Sequence, residues 1–408
     1  MHKTMTLQTR FAGLLMLLVI LTAGGTSAQT YTVLYGFSGG ADGDHPIGGL
    51  AQDAAGNLYG TTYRGGDFSC GDGYGCGTVF KLIPNPDGTW TESTIHAFAS
   101  ENDGAIPYSG VVLDSAGNLY GTTTFGGSYG AGTVFKLAPN PDGSYTESLI
   151  YQFTGGSDGL YPEAALLRDA AGNLYGTASA GGAGYGVVFS LAPLPGGGWK
   201  GRILHRFTGG RDGNTPRGGS LVFDSAGSLY GTTSAGGNFG LGVVFKGTPL
   251  PNGGWKKQIL HHFNSGEGSP LGGLVLDATG SIYGTTKDGG AQGQGAVFML
   301  QTDKTYRVLY EFEGGNDDGA FPNTAMVFDT EGNLYGTTYE GGSGIGGANT
   351  GVLYKLTPND DGSWSESVLY DFTIWGCQPT GPLIIDGQND LYGTTSYCSD
   401  GNAYELAP

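Results

Sequence analysis

Positive charge is scarce in this sequence. Lys and Arg number 18 against 36 Asp and Glu, a formal net charge of −18. A surface of that sign disfavours nucleic acid and anionic membranes, and it suits solubility, cation binding or neutral ligands. Cysteine is nearly absent. The four residues Cys70, Cys76, Cys377 and Cys398 match no usual zinc spacing and have no histidine nearby. Long apolar runs are missing beyond residues 11–23, so no later segment is expected to cross a bilayer as a helix. Glycine is abundant, at 81 residues, but it has no G-X-Y period and is separated by apolar runs. Collagen and low-complexity disorder are thereby excluded, and the glycines read as turns and close backbone approaches.

What is present begins with an export signal. Lys3 and Arg10 flank a basic start, residues 11–23 form the apolar core, and Thr26-Ser27-Ala28 supplies small residues at a cleavage site. The expected mature start is Gln29, leaving 16 basic residues and a formal charge of −20. The mature chain is expected in the periplasm or outside the cell, without membrane insertion and as a monomer. Four cysteines in an exported chain read as two disulfides with three possible pairings.

Asp-x-x-Gly-Asn-Leu-Tyr-Gly-Thr, with variants, occurs seven times. Its tyrosines are Tyr59, Tyr120, Tyr175, Tyr230, Tyr283, Tyr335 and Tyr392, at intervals of 52 to 61 residues. Such a period with strand-like content predicts a β-propeller. Each unit reads as four runs a, b, c and d; around Tyr120 these are 110–114, 118–124, 132–137 and 145–153. Asp114-Ser115-Ala116-Gly117-Asn118 is a hairpin turn, in which the Asp caps following amides and Gly takes a positive-φ position. Pro139-Asn140-Pro141-Asp142-Gly143 forms the c–d turn. Strand d ends in a shared pattern in which His96, His205 and His261 stand where other copies have Tyr35, Tyr151, Tyr310 and Tyr370. A histidine exchangeable with Tyr is packing or surface material, which leaves His45 as the individual one.

The chain opens with a d run at 31–37 and closes with a c run at 402–406. Seven of each run are obtained only if the first d joins the last a, b and c. The expected fold is all-β: a seven-bladed propeller of four-stranded antiparallel blades, residues 29–408, closed by the N-terminal strand, with its terminal edges paired. With Cys377 in a d–a loop and Cys398 in the b–c loop of the same blade, the expected bridges are Cys377–Cys398 and Cys70–Cys76.

Gly-Asn-Leu-Tyr-Gly-Thr-Thr, then Gly-Gly, then Gly-Thr-Val-Phe-Lys-Leu, clearest at 56–82 and 117–137, resembles the GloVer repeat of bacterial choice-of-anchor tandem repeat proteins. The resemblance extends over nearly all of the mature chain. It implies an exported, propeller-like repeat protein with no established activity and no catalytic residues to carry over. Relatives often carry a C-terminal sorting anchor; this chain reaches Pro408 directly after a strand, and surface anchoring is not expected.

Function is expected where the copies differ. The a–b and c–d turns share one face and are repetitive, whereas the d–a and b–c loops share the other and vary. The d–a loops repeat Asp-Gly-x-x-Pro, as at Asp42 and Pro46. The Asp reads as a turn cap, since Asp and Gly are standard turn formers; calcium is the alternative, for which one Asp per blade is too few unless loop carbonyls help. The Gly-rich b–c loops lack the helix that phosphate binding needs. No cofactor and no metal are implied. Residues expected near the channel mouth from the d–a loops are His45, Tyr108, Tyr161, Glu163, Arg217, Phe321 and Asn323. The ends of strand b add Tyr63, Arg64, Phe125, Lys287, Asp288, Tyr339, Glu340 and Tyr397, and Trp375 adds an aromatic. This mixed rim suits a carbohydrate or peptide ligand. The leading expectation is a binding or interaction module. A glycosidase or lyase using Glu163, Asp288 and Glu340, and a structural envelope protein, are the alternatives.

Overall fold

The computed structural model describes residues 29–407 except 69, 71–72, 101–102, 218, 252–253, 344–349, 373–377 and 397–399. The expected signal segment, Trp375, Tyr397 and the Cys377–Cys398 bridge fall outside the described residues. Seven antiparallel sheets form a seven-bladed propeller, and the sole helical element described is a 3-10 turn at Gly210–Asp212. In blade 1, strands a to d are Ala51–Gln52, Leu58–Thr62, Thr78–Pro84 and Trp90–Ala97. In blade 2 they are Val112–Leu113, Leu119–Thr123, Thr133–Pro139 and Tyr145–Gln152. Blade 7 takes Ile384–Ile385, Leu391–Ser396 and Asn402–Ala407 from the end of the chain. Its outer strand is Thr30–Gly36, antiparallel to Asn402–Ala407 with Tyr31 opposite Leu406 and Val33 opposite Tyr404. The ring closes as expected. Tyr31 also stacks at 4.0 Å on Tyr370 of blade 6.

Each letter of the repeated motif has a physical task. The Leu is fully buried, as at Leu58 and Leu119. The Tyr hydroxyl donates to the turn Asp in all seven copies, at 2.9 to 3.3 Å. The same Asp accepts backbone amides, so Asp114 holds Ala116 N at 2.9 Å and Asn118 N at 3.0 Å. Burial disfavours ionisation of Asp114, but bonds from Asn118, Tyr120 and Ala116 outweigh it and hold the carboxyl below its ordinary value. The Gly makes room for the Phe of strand c: a Cβ on Gly121 would lie 2.4 Å from the Phe135 ring. The following Thr reaches inward to the next blade, as Thr61 Oγ1 donates to the Ser109 carbonyl at 2.9 Å.

Strand a is shorter than the run 110–114 read from the sequence. Ser109 and Gly110 lean on the neighbouring blade instead, so closely that a Cβ on Gly110 would lie 2.1 Å from the Gly49 carbonyl oxygen. Small residues at this position in most blades let seven inner strands converge on the axis. The apolar core lies between blades. One cluster joins Tyr120, Val134 and Phe153 to Leu166, Leu174 and Phe189 across the second seam.

A second lock joins each seam. The last glycine of each b–c loop lies under the proline that opens the next strand a. A Cβ on Gly77, Gly132, Gly186 or Gly295 would come within 2.5 to 2.6 Å of Pro107, Pro162, Pro216 or Pro322. Gly401 meets Pro46 in the same way at the closing seam.

Candidate functional site

The residue before the loop proline is held with positive φ in five blades: His45, Ile106, Tyr161, Thr215 and Phe321, at 56° to 61°. None is glycine, so each costs about 1 kcal/mol of local strain. Two backbone bonds impose it. The amide donates to the preceding blade, as His45 N to Asp400 O at 2.8 Å, and the carbonyl accepts from the end of strand b, as from Tyr63 N at 2.9 Å. The d–a and b–c loops are thus tied into one rigid rim.

The acidic residue of each described d–a loop is a turn cap. Asp42 accepts from Ser38 N at 2.8 Å and from the Tyr35 hydroxyl at 3.0 Å. Asp103, Asp212 and Glu267 accept from His96, His205 and His261 at 3.1, 3.0 and 2.9 Å. The exchange of Tyr for His along strand d therefore preserves one hydrogen bond.

Inside the rim the channel opens into a cavity of about 750 Å³. It brings together His45, Tyr63, Arg64, Tyr108, Glu163, Arg217, Lys287, Asn323 and Tyr339 from separate blades. Thr215, Ser234, Leu271, Thr380 and Pro382 also line it; sequence reasoning missed them because they are small or uncharged variants of repeated positions. Phe125 and Tyr161 pack together outside the lining, ring centres 5.0 Å apart. Phe321 contributes backbone bonds to Gln294 and Tyr339. Asp288 is not part of the lining; it accepts from Ser269 N at 2.9 Å. Glu340 pairs through its backbone with Ala320.

The lining side chains form a continuous belt over four blades. Arg64 lies over the Tyr74 ring at 4.5 Å and the Tyr63 ring at 5.5 Å. Tyr63 meets Tyr108 edge to face at 6.0 Å. Arg217 lies 5.9 Å over Tyr108, and its Nε is 3.2 Å from Glu163 Oε2. The Glu163 side chain is 11% exposed and that of Arg217 47%, so the cation keeps a face toward solvent. Among the described residues Glu163 is the one carboxylate in the lining. Arg64 and Lys287 have no carboxylate partner there. His45 Nδ1 contacts the Asp44 carboxylate. Burial raises the Asp44 carboxyl, with His45 and Arg64 opposing and Asp400 reinforcing. Among the described residues, no group of three His, Cys, Asp or Glu is arranged to hold a metal ion. Cys70 and Cys76 pair beside this face, with Cα atoms 5.8 Å apart, a separation proper to a disulfide.

The model of the Gloeobacter/Verrucomicrobia repeat matches residues 69–269 and 250–407. The chain belongs to the Gloeobacter/Verrucomicrobia repeat family. Among solved structures, this repeat protein is similar to an extracellular domain from B. thetaiotaomicron assigned to a one-component system, with a TM-score of 0.56 and 14% identity. That match covers 92% of this chain and 40% of the other. It is also similar to a puromycin hydrolase solved as a variant complexed with PGG, with a TM-score of 0.55, 13% identity and coverage of 88% and 52%. Both likenesses concern the fold, and the chain spans about half or less of each neighbour's length. No curated protein matches the sequence. No helix among the described residues is long and apolar enough to cross a membrane.

Proposed function

We propose that this propeller is an exported binding module that seats a carbohydrate or peptide ligand in the channel mouth, on the face of the d–a and b–c loops. The observation that carries this reading is the cavity of about 750 Å³, lined by residues that differ from blade to blade while their supports repeat. Its volume lies in the range of small-ligand sites. Tyr63, Tyr108 and Tyr339 offer ring faces and hydroxyls, and Asn323 offers an amide. Two carboxyl groups across a scissile bond are the usual requirement for glycoside hydrolysis, and the described lining offers one. Binding without turnover is therefore the reading adopted.

Glycan and peptide arrays probed with residues 29–408, with assays for hydrolysis of each hit, test it. Tyr339→Ala and Arg217→Gln are expected to weaken binding about tenfold, the worth of one polar contact, while the melting temperature stays nearly unchanged. A ligand that binds both variants as tightly as the parent, or that maps to the a–b and c–d turns, refutes the placement. Export is tested by N-terminal sequencing of the secreted protein, with Gln29 expected first.

A further inference from the structure

We infer that the mouth face takes an acidic polysaccharide, its carboxylates seated among Arg64, Arg217 and Lys287 and its sugar rings laid on aromatic side chains around the rim. The inference rests on the channel mouth being the ligand site and names the class of ligand.

Two independent observations lead there. The first is an inversion of charge. The whole chain has twice as many acidic as basic residues, yet the cavity is lined by Arg64, Arg217 and Lys287 against Glu163 alone. Glu163 is already matched to Arg217 and Asp44 lies beside Arg64, so the lining keeps an excess of cations over carboxylates, with Lys287 at its edge. At physiological ionic strength charges are screened over about 8 Å. A ligand in the mouth therefore senses these cations more than the distant acidic surface. Arg64 lies over the Tyr74 ring at 4.5 Å, and a guanidinium stacked on a ring keeps its in-plane N–H donors, which can hold a carboxylate through two bonds.

The second observation is the distribution of exposed aromatics. Every exposed Phe or Tyr among the described residues lies in a b–c loop of blades 1 to 4: Phe68, Tyr74, Phe125, Tyr129, Tyr185 and Phe239. Tyr129 and Phe239 are 65% and 63% exposed. Scattered exposed rings need no explanation, but confinement to one loop type in four successive blades is not scatter. The rings are spread over the b–c loops of four blades rather than gathered in one segment of chain. A sugar chain uses isolated rings one at a time, placing the C–H face of each pyranose on an aromatic face. Its acidic groups then require cations at one end of the track, where the mouth supplies them.

The probes are hexamers of galacturonate and of mannuronate, each paired with its fully methyl-esterified form, in calorimetric titrations with residues 29–408. The ester keeps the ring and removes the charge. At least one acid hexamer is expected to bind, its ester about tenfold or more weakly. Arg64→Gln and Lys287→Gln are expected to weaken the acid about tenfold and to leave the ester unchanged. Tyr129→Ala with Phe239→Ala is expected to weaken the hexamer and not the monosaccharide.

Equal affinity for acid and ester overturns the inference while leaving a neutral-sugar site in the mouth. Preference for poly-glutamate over every uronate overturns the polysaccharide and keeps the anion site. Acid binding that ignores Arg64→Gln and Lys287→Gln overturns both this inference and the placement of the ligand. No binding of any hexamer overturns the inference alone, and the arrays then decide the wider reading.

Discussion

Replacing Glu147 by Gln is expected to stabilise the propeller above pH 7 and to do nothing near pH 4.5. Glu147 lies on the outer strand of blade 2 and faces Asp103 and His96 of the preceding seam. Its Oε1 is buried without a hydrogen-bond partner. Burial, then the Asp103 charge, push its carboxyl up to about 7, with His96 opposing. Glu366 occupies the equivalent place in blade 6, and burial followed by Asp318 raises it likewise to about 7. Blade 4 has Lys257 there, with Nζ 2.7 Å from Asp212 Oδ1, so in that blade the loop carboxylate faces a cation instead of a second carboxyl. A carboxyl that titrates higher in the folded chain binds more protons there than in the unfolded chain. The contribution of each of these carboxyls to stability therefore falls as pH rises from about 4.5 to about 7. The unscreened shift of both groups would amount to about 3 kcal/mol each, and half-exposure to water reduces this to about 1 kcal/mol each. Urea unfolding of residues 29–408 at pH 4.5, 6 and 8 reads it directly. Glu147→Gln should raise the midpoint at pH 8, with the slope unchanged, and should match the parent at pH 4.5. A variant equally destabilised at both pH values would refute the reasoning, because Glu147 would then act through packing.

Other seams and turns give further expectations. Asp114→Ala removes the acceptor of Ala116 N, Asn118 N and the Tyr120 hydroxyl; it should cost about 2–4 kcal/mol in urea unfolding and leave ligand affinity unchanged. Gly132→Ala sets a Cβ 2.6 Å from Pro162 at a φ of 95° and should cost more than about 2 kcal/mol; a neutral result would dismiss the proline lock. Loss of the Cys70–Cys76 bridge, which closes a loop with a sequence separation of 6, should cost about 2 kcal/mol. Non-reducing peptide mapping checks that pairing, and a Cys70–Cys398 bridge would refute it.

The blade and its count were legible because the motif is contiguous: Leu, Tyr, Gly and Thr follow one another in strand b, and the turn Asp stands six residues before the Tyr. Closure by the strand at 30–36 was legible from the order of runs at the two ends. The proline lock was not, because Gly132 and Pro162 belong to different repeats and nothing local couples them. The shortness of strand a was hidden for the same reason: Gly110 answers to Gly49 of the neighbouring blade rather than to its own sheet. At the mouth, Tyr63, Arg64, Tyr108, Glu163 and Arg217 were recognisable singly as departures from the repeat. Their union into one belt depends on how far Arg217 reaches across two blades, which spacing along the chain does not encode. Asp288 and Glu340 looked equivalent to their lining neighbours Lys287 and Tyr339. In blade 1 both Tyr63 and Arg64 reach the lining, whereas in blades 5 and 6 the second residue of the pair stays outside it.

The closing strand has a kinetic consequence. Thr394 bonds to the Gly48 carbonyl across 346 residues of chain, and the pairing of Thr30–Gly36 with Asn402–Ala407 is still more remote. Bringing such distant segments together has an entropic cost of about 5 kcal/mol, which no contact within a single repeat offsets. The ring is therefore complete only once the last blade forms, whatever the order in which the earlier blades are made. During vectorial synthesis the strand at 30–36 emerges early and waits with an open edge until the last blade arrives. A chain halted before residue 402 is left as an open arc with two unpaired edges, each a template for aggregation.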